Sequence, residues 1–278
     1  MQGDKEFEVM KKVSVITVNR NNATSLEKTI QSVIAQTFAD FEYIIIDGNS
    51  ADGSVDVIRK YADHVSFWCS EPDSGPYDAM NKGVEHAAGE WCIFMNSGDC
   101  FADEHVLSNV FSVADASACD VIYGDVISTF SWGELKKVPE PIDGIDTHMV
   151  FCHQSSLVRT ALAKELKFDT GYKIAADFNL FRTLYKRDGR FRYVPVVIAV
   201  YNAEDGISSR LVRKREYEYG VIAGLEHNAA WKCRFEIRMF AYSLKNMLKA
   251  KTPKSVLGVY RYWKILRNGK AWAKQRRK

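Results

Sequence analysis

The chain predicts an α/β fold: a Rossmann-like, mostly parallel sheet flanked by helices, with a C-terminal basic amphipathic helical extension. Three observations predict it. The first hundred residues alternate four short apolar runs with three stretches of helical period, the pattern of a parallel sheet with helices on both faces. A carboxylate stands at or just after three of those runs, at Asp47, Asp73 and Asp99. Residues 229–278 hold 15 Lys+Arg and one acid, Glu236, so they carry +14 while the rest of the chain carries −11.

Each element has its own reason. Val13–Val18 is β-branched and uncharged, a buried strand. Thr24-Ser25-Leu26-Glu27 reads as a capping box, followed by Leu26, Ile30, Val33 and Ile34 at helical spacing. Tyr43–Ile46 is the second strand and ends at Asp47-Gly48. Val55–Tyr61 is the next helix, Val65–Cys69 a strand, Tyr77–Ala88 a helix stopped by Gly89, and Trp91–Met95 the fourth strand. Beyond it, Val121–Val126 is a strand and Ile127–Val138 a hairpin. Arg159–Leu166 and Asp177–Lys186 are helices, Arg192–Tyr201 is an apolar strand, and Arg210 to about His227 is helix.

The C-terminal region changes character. On a helical wheel of residues 231–250, Ile237, Phe240, Leu244, Met247 and Leu248 share one face, which is expected to cover the main domain. Trp231, Phe235 and Tyr242 lie opposite, among Arg234, Arg238, Lys245 and Lys249. After Pro253, Val256, Val259, Tyr260, Trp263 and Leu266 form a second stripe, and Lys270–Lys278 reads as disordered. Bases interleaved with Trp231, Trp263 and Trp272 suit an anionic membrane surface better than nucleic acid, which is not expected as a partner.

Composition narrows the class. A 46 % hydrophobic and 26 % charged chain is an ordinary globular one, not a disordered one. The six cysteines show no CxxC pair, which disfavours a zinc site or a disulfide framework and favours a reducing, cytoplasmic setting. Residues 1–10 read as a disordered extension and not as a signal peptide, and the apolar runs fall far short of the ~18 residues of a membrane span.

The most informative stretch is Glu71-Pro72-Asp73-Ser74-Gly75-Pro76-Tyr77-Asp78-Ala79-Met80-Asn81-Lys82-Gly83, a turn running into a helix. Strand-end loops converge in an open sheet, so Asp47, Asp73 and Asp99 can line one crevice, with Lys82 nearby. A carboxylate there accepts from a base or ribose, or ligates a hard cation. A single Asp beside Gly is an ordinary turn residue; three together point to a site for a phosphorylated ligand with a metal. Asp177, at the start of an amphipathic helix, reads as an N-cap from its position alone. His153 lies at an expected strand end.

Four segments in order carry a resemblance: Val13–Asn21, Ile46–Ser54, Asp78–Gly83 and Phe94–Asp99. Together they resemble glycosyltransferase family 2, over about residues 11 to 210. The resemblance implies the GT-A fold, with a nucleotide-binding half over 11–100, an acceptor half over 101–210, and a helical region over 211–278. It implies inverting transfer of one sugar from a nucleotide sugar, most readily a UDP-sugar. The acceptor would be a hydroxyl of a lipid-linked or oligosaccharide molecule in cell-surface polysaccharide or glycolipid assembly. Thr17, Asn19, Asp47, Asp73, Asp78, Lys82, Asn96 and Ser97 would bind the donor. Asp99 would hold Mn²⁺ or Mg²⁺, and Asp177 would be the catalytic base. His153 and Asp205, the latter in the loop Glu204–Ser208, would contact acceptor or diphosphate.

This chain departs from the family pattern in two places. Gly98 stands where the family often has an acid, and Ala175-Ala176 precedes Asp177 where a Glu is common. A non-catalytic sugar-nucleotide-binding or scaffold protein on the same fold is the alternative. The expected location is cytoplasmic, peripheral on the inner face of the membrane.

Overall fold

The computed structural model describes residues 12–204 and 206–252, with the single positions 258, 263 and 267. The chain runs β1 (Val13–Asn19), α1 (Ala23–Ile34), β2 (Phe41–Asp47), α2 (Ser54–Lys60), β3 (Phe67–Ser70), α3 (Pro76–His86) and β4 (Trp91–Phe94). It continues through β5 (Cys100–Phe101), α4 (Val106–Val113), β6 (Val121–Phe130), β7 (Gly133–Lys137), β8 (Ser156–Arg159), α5 (Thr160–Leu166), α6 (Ala176–Lys186) and β9 (Phe191–Asn202). Three helices follow: α7 (Ile207–Arg210), α8 (Val212–Ile222) and α9 (Ala229–Lys251).

Among the described residues the strands form one sheet in the order β3-β2-β1-β4-β8-β6-β9-β5, with β7 paired to β6. β1, β2, β3 and β4 are mutually parallel, as the alternating pattern predicts. Beyond β4 the sheet is mixed: β8 runs antiparallel to β4 and β6, and β9 runs parallel to β6. The central strands β1, β2 and β4 are buried on both faces. Val13 and Val15 of β1, Tyr43 and Ile45 of β2 and Trp91 and Ile93 of β4 join α1 and α4 in one core. Ile16, Ile44, Ile46, Cys92 and Phe94 join α3 and α6 in the other. The two-residue side-chain period of a strand sorts these residues into opposite layers. Gly83 lets α3 sit close on β1, since a Cβ there would lie 2.5 Å from Ile16 Cγ2.

The structure corrects the sequence reading at several points. The capping box does not form. α1 begins at Ala23, so Thr24 and Ser25 are already helical, and Asn22 offers no side-chain cap. Asp52 does the work from the next loop: it accepts from the Ala23 N–H at 2.9 Å and from the Ser54 N–H at the start of α2. His153 lies in a 3₁₀ turn, His153–Ser155, that leads into β8, not at a strand end. β8 itself escaped notice, because four residues leave too short a period to read.

The largest correction concerns α9. Phe235 and Met239 are each only 5 % exposed, while Ile237 is 63 % and Phe240 72 % exposed. The face expected to pack is therefore the outer one. The face expected outside packs on α8 instead, where Trp231 stacks on Phe235 at 5.3 Å and both meet Tyr217. A Cβ on Gly220 would collide with the Trp231 ring, so that glycine makes the close approach possible. Trp231 is thus committed to this packing, not to a membrane surface. Except for the exposed positions Gly258, Trp263 and Arg267, the second stripe and the Lys270–Lys278 tail lie outside the described residues, as does the extension over 1–10. Among the described residues no helix is long and apolar enough to cross a membrane.

Candidate active site

The strand register builds the first part of the site. Asn19 pairs with Asp47, and Asp47 with Ser70, so three adjacent strands deliver one side chain each to the same point. The Asp47 carboxylate is fully buried there. Its Oδ1 accepts from Asn19 Nδ2 at 2.7 Å and Ser50 Oγ at 2.6 Å; its Oδ2 accepts from the Ser50 N–H at 2.8 Å and Ser70 Oγ at 2.6 Å. Burial opposes ionisation, but these four donors outweigh it and hold the carboxyl below the usual range. Asp47 is expected from the resemblance to meet a base. In this structure its oxygens are occupied, so a base would have to displace one of these donors. A Cβ on neighbouring Gly48 would overlap the Asp73 carboxylate, which accepts from the Gly75 N–H at 2.9 Å and lies 3.8 Å from Arg20.

The loop after β4 is different. Gly98 adopts φ +106°, where an L side chain is strained, and its N–H donates to Thr29 Oγ1 at 2.9 Å. The turn itself therefore demands glycine at the position of the missing acid. Asp99 follows it with few donors. Burial pushes its carboxyl up to about 6, against the pull of His153 and a hydrogen bond from Gln154. Asn96 donates through Nδ2 toward His153 Nε2 at 3.3 Å, while its Oδ1 is buried with no hydrogen-bond partner.

Across the cleft stands Asp177. It lies in the first turn of α6 and caps nothing, since Ala175 holds the cap position and no side-chain cap bond forms. Tyr77 Oη donates to Asp177 Oδ1 at 3.1 Å and to the Ile174 carbonyl at 2.7 Å. Burial and then the Asp177 charge hold the Tyr77 hydroxyl well above its ordinary pKa, so it stays a donor. His153 Nδ1 lies 3.4 Å from Asp177 Oδ2. Asn96, His153 and Asp177 thus form a line across the cleft, with Asp99 close by.

One residue that positions this line carried no sequence signal. Glu218, buried on α8, accepts from three successive backbone N–H groups, Lys173, Ile174 and Ala175, at 3.0, 2.9 and 3.1 Å. It fixes the entry to α6 from 43 to 45 residues away, so no local pattern could reveal it.

The cleft has a volume of about 1730 Å³. Asn19, Asp73, Asn96, Ser97, Asp99, His153 and Asp177 line it, brought together as expected. Gly206, Ile207 and Ser208 line it too, so the loop Glu204–Ser208 borders the cleft; Asp205 lies outside the described residues. Four expected donor residues do not line it: Asp47, saturated by its own donors, and three more. Thr17 is in the core, donating to the Met95 carbonyl at 2.7 Å and bonded to Tyr43 Oη. Asp78 accepts from the Ser74 N–H at the start of α3. Lys82 pairs with Glu71 at 2.7 Å and donates to the Pro72 carbonyl, bracing the turn before α3. Each carries the geometry of the site without lining it.

Two features bear on a metal. Among the described residues no cluster of three or more His, Cys, Asp or Glu stands ready to hold one. Asp99 and the unpartnered Asn96 Oδ1 nevertheless suit a hard cation, which takes oxygen ligands and keeps places for water and phosphate.

The comparisons agree with this architecture. S. aureus TarS 1–349 in complex with UDP-GlcNAc superposes with TM-score 0.62 at 20 % identity, over 78 % of this chain and 67 % of that one. The mannosyltransferase PcManGT from Pyrobaculum calidifontis, in complex with GDP-Man and Mn²⁺, gives 0.62 at 16 % identity, over 92 % and 84 %. Both likenesses show the GT-A fold. In sequence, the "PGL/p-HBAD biosynthesis glycosyltransferase" of Mycobacterium bovis (strain BCG / Pasteur 1173P2) is 30 % identical over 210 residues, 72 % of this chain and 80 % of that protein. The model of "Glycosyl transferase family 2" matches residues 14–187. With its nucleotide-half motifs, its cleft and these relatives, this chain belongs to glycosyltransferase family 2.

Proposed function

We propose that this glycosyltransferase moves a single sugar, with inversion, from a nucleotide sugar to a hydroxyl of a lipid-linked or oligosaccharide acceptor. A UDP-sugar is the favoured donor, and cell-surface polysaccharide or glycolipid assembly the favoured setting. The observation that carries the reading is the pair Asp99 and Asp177, which line one cleft with His153 3.4 Å from Asp177. An Asp177 oxygen takes the proton of the acceptor hydroxyl as the hydroxyl oxygen attacks the anomeric carbon and the bond to the diphosphate breaks. Tyr77, on Oδ1, orients the carboxylate, leaving Oδ2 and its His153 neighbour toward the cleft. A divalent cation at Asp99 and Asn96, when bound, would neutralise charge on the leaving diphosphate. The neighbour PcManGT was solved with Mn²⁺, which supports that reading.

The non-catalytic alternative leaned on Gly98. Its positive φ explains that glycine by backbone geometry, which removes the argument. The basic C-terminal region supports placement at the inner face of the cell membrane, beside a membrane-confined acceptor. The test is a panel of nucleotide sugars screened with Mn²⁺ for thermal stabilisation, followed by product analysis. One donor should stabilise the protein only with metal, and its product should have inverted configuration. A product of retained configuration would overturn the single-displacement mechanism.

A further inference from the structure

Helix α9 is apolar on two opposite faces, and only one of them is used. Phe235 and Met239 pack inward, and on that side Trp231 and Arg238 line the cleft. Cys233, Ile237, Phe240, Leu244 and Leu248 form a stripe at steps of three and four along the outer side, all exposed. An isolated apolar residue on a surface is normal; a continuous stripe over four turns is a contact surface without its partner. Arg234 and Lys245 flank it and are exposed. Glu236, the single acid from 229 onward, is neutralised by Arg213 at 2.6 Å. Residues 253–278 add nine Lys+Arg and no acid.

We infer that the outer face of α9 beds into the headgroup boundary of an anionic lipid bilayer, with its inner face turned to the acceptor end of the cleft. The inference rests on the proposed membrane placement of the enzyme and names the surface that makes it. Charge selects this occupant. A second copy docked face to face would bring two +14 regions together, whereas an anionic leaflet meets both the apolar stripe and the bases around it. Because the stripe is apolar, part of the binding persists when salt screens the charges. Because α9 borders the cleft, the docked orientation would hold the acceptor end toward the lipid, where a lipid-linked hydroxyl arrives.

The test uses the full chain and vesicles of phosphatidylcholine and phosphatidylglycerol. The variant Ile237→Ser/Phe240→Ser/Leu244→Ser leaves charge and cleft lining untouched. Its partitioning onto these vesicles should fall at least about tenfold. The binding that wild type keeps in about 0.5 M salt, where the screening length is about 4 Å, should vanish. A polarity-sensitive fluorophore on Cys233, the exposed cysteine of the stripe, should shift to the blue with vesicles. Unchanged partitioning of the triple variant overturns the proposal. So does a dimer-to-monomer change without vesicle binding, which would assign the face to a second copy. A large fall in melting temperature of the triple variant without vesicles also overturns it, because the face would then be covered by residues 253–278. Binding of UDP with Mn²⁺, followed in the same variant, reads the enzyme assignment separately and should not change.

Discussion

The loop after β2 and the loop after β4 each end a buried parallel strand in a carboxylate, and they treat it in opposite ways. Asp47 receives four hydrogen bonds and is held below the usual carboxylate range. Asp99 is half-buried with few donors, and its carboxyl is pushed up to about 6. The difference lies in neighbours, not in strand-end position. Asp47 faces Asn19 and Ser70, fixed by register, and Ser50 in its own loop. Asp99 follows Gly98, at positive φ, and draws a side-chain hydrogen bond from Gln154. A saturated carboxylate organises loops. An undersupplied one has a charge that something else must meet, and a cation would do so.

The largest effect expected in the cleft comes from neither acid but from Asp177 opposite them. Asp177→Asn should leave donor affinity nearly intact and lower turnover by roughly 10²–10⁴, the range for loss of a general base. Turnover within a few-fold of wild type would reduce Asp177 to a structural residue of α6. For Asp47, the comparison predicts a folding defect first. Asp47→Ala leaves the Asn19, Ser50 and Ser70 donors without acceptors and should destabilise by about 3 kcal/mol or more in urea unfolding. Its contribution should be present above the ordinary carboxylate pKa and lost as pH falls through its lower folded value.

Asp99 should show the reverse sign. Its folded pKa, about 6, lies above the ordinary 3.8, so the folded state holds the proton more tightly. Stability from this group is full below 3.8 and declines as pH rises to 6. Metal-free Asp99→Asn should therefore be more stable than wild type at pH 7.5, by about 1–3 kcal/mol, and near wild type at pH 4. Equal stabilities at both pH values would mean that Asp99 is solvated after all. The smallest effect belongs to Glu218. Glu218→Gln keeps one acceptor oxygen, enough for the Ile174 and Ala175 N–H groups, and sets an NH2 against the Lys173 N–H. It should cut kcat by about tenfold through misplacement of Asp177, with UDP affinity unchanged.

The parallel half was legible in the sequence because each of its strands is a run of apolar residues bounded by turn signals. Asp99 and Asp177 were found through the family resemblance, and the cleft joins them. The misreadings share a cause: competition among long-range partners. Thr17 looked like a ligand residue, but Tyr43 and Met95 claim it in the core. Lys82 looked free to meet phosphate, but Glu71 holds it. Thr24 and Ser25 looked like caps, but Asp52 reaches over from the next loop. For α9, the wheel showed two apolar faces, and periodicity cannot say which meets the domain. The aromatic face won because Trp231 and Phe235 fit against Gly220 and Tyr217.

The most direct measurement is titration calorimetry of UDP with and without Mn²⁺ on wild type, Asp99→Ala and Asp99→Asn at pH 7.5. Mn²⁺ should strengthen UDP binding to wild type at least about tenfold. Both variants should bind UDP equally with or without the metal while their circular dichroism stays that of the wild type. An unchanged Mn²⁺ effect in Asp99→Ala would contradict the assignment of Asp99 as the unmet charge of the cleft.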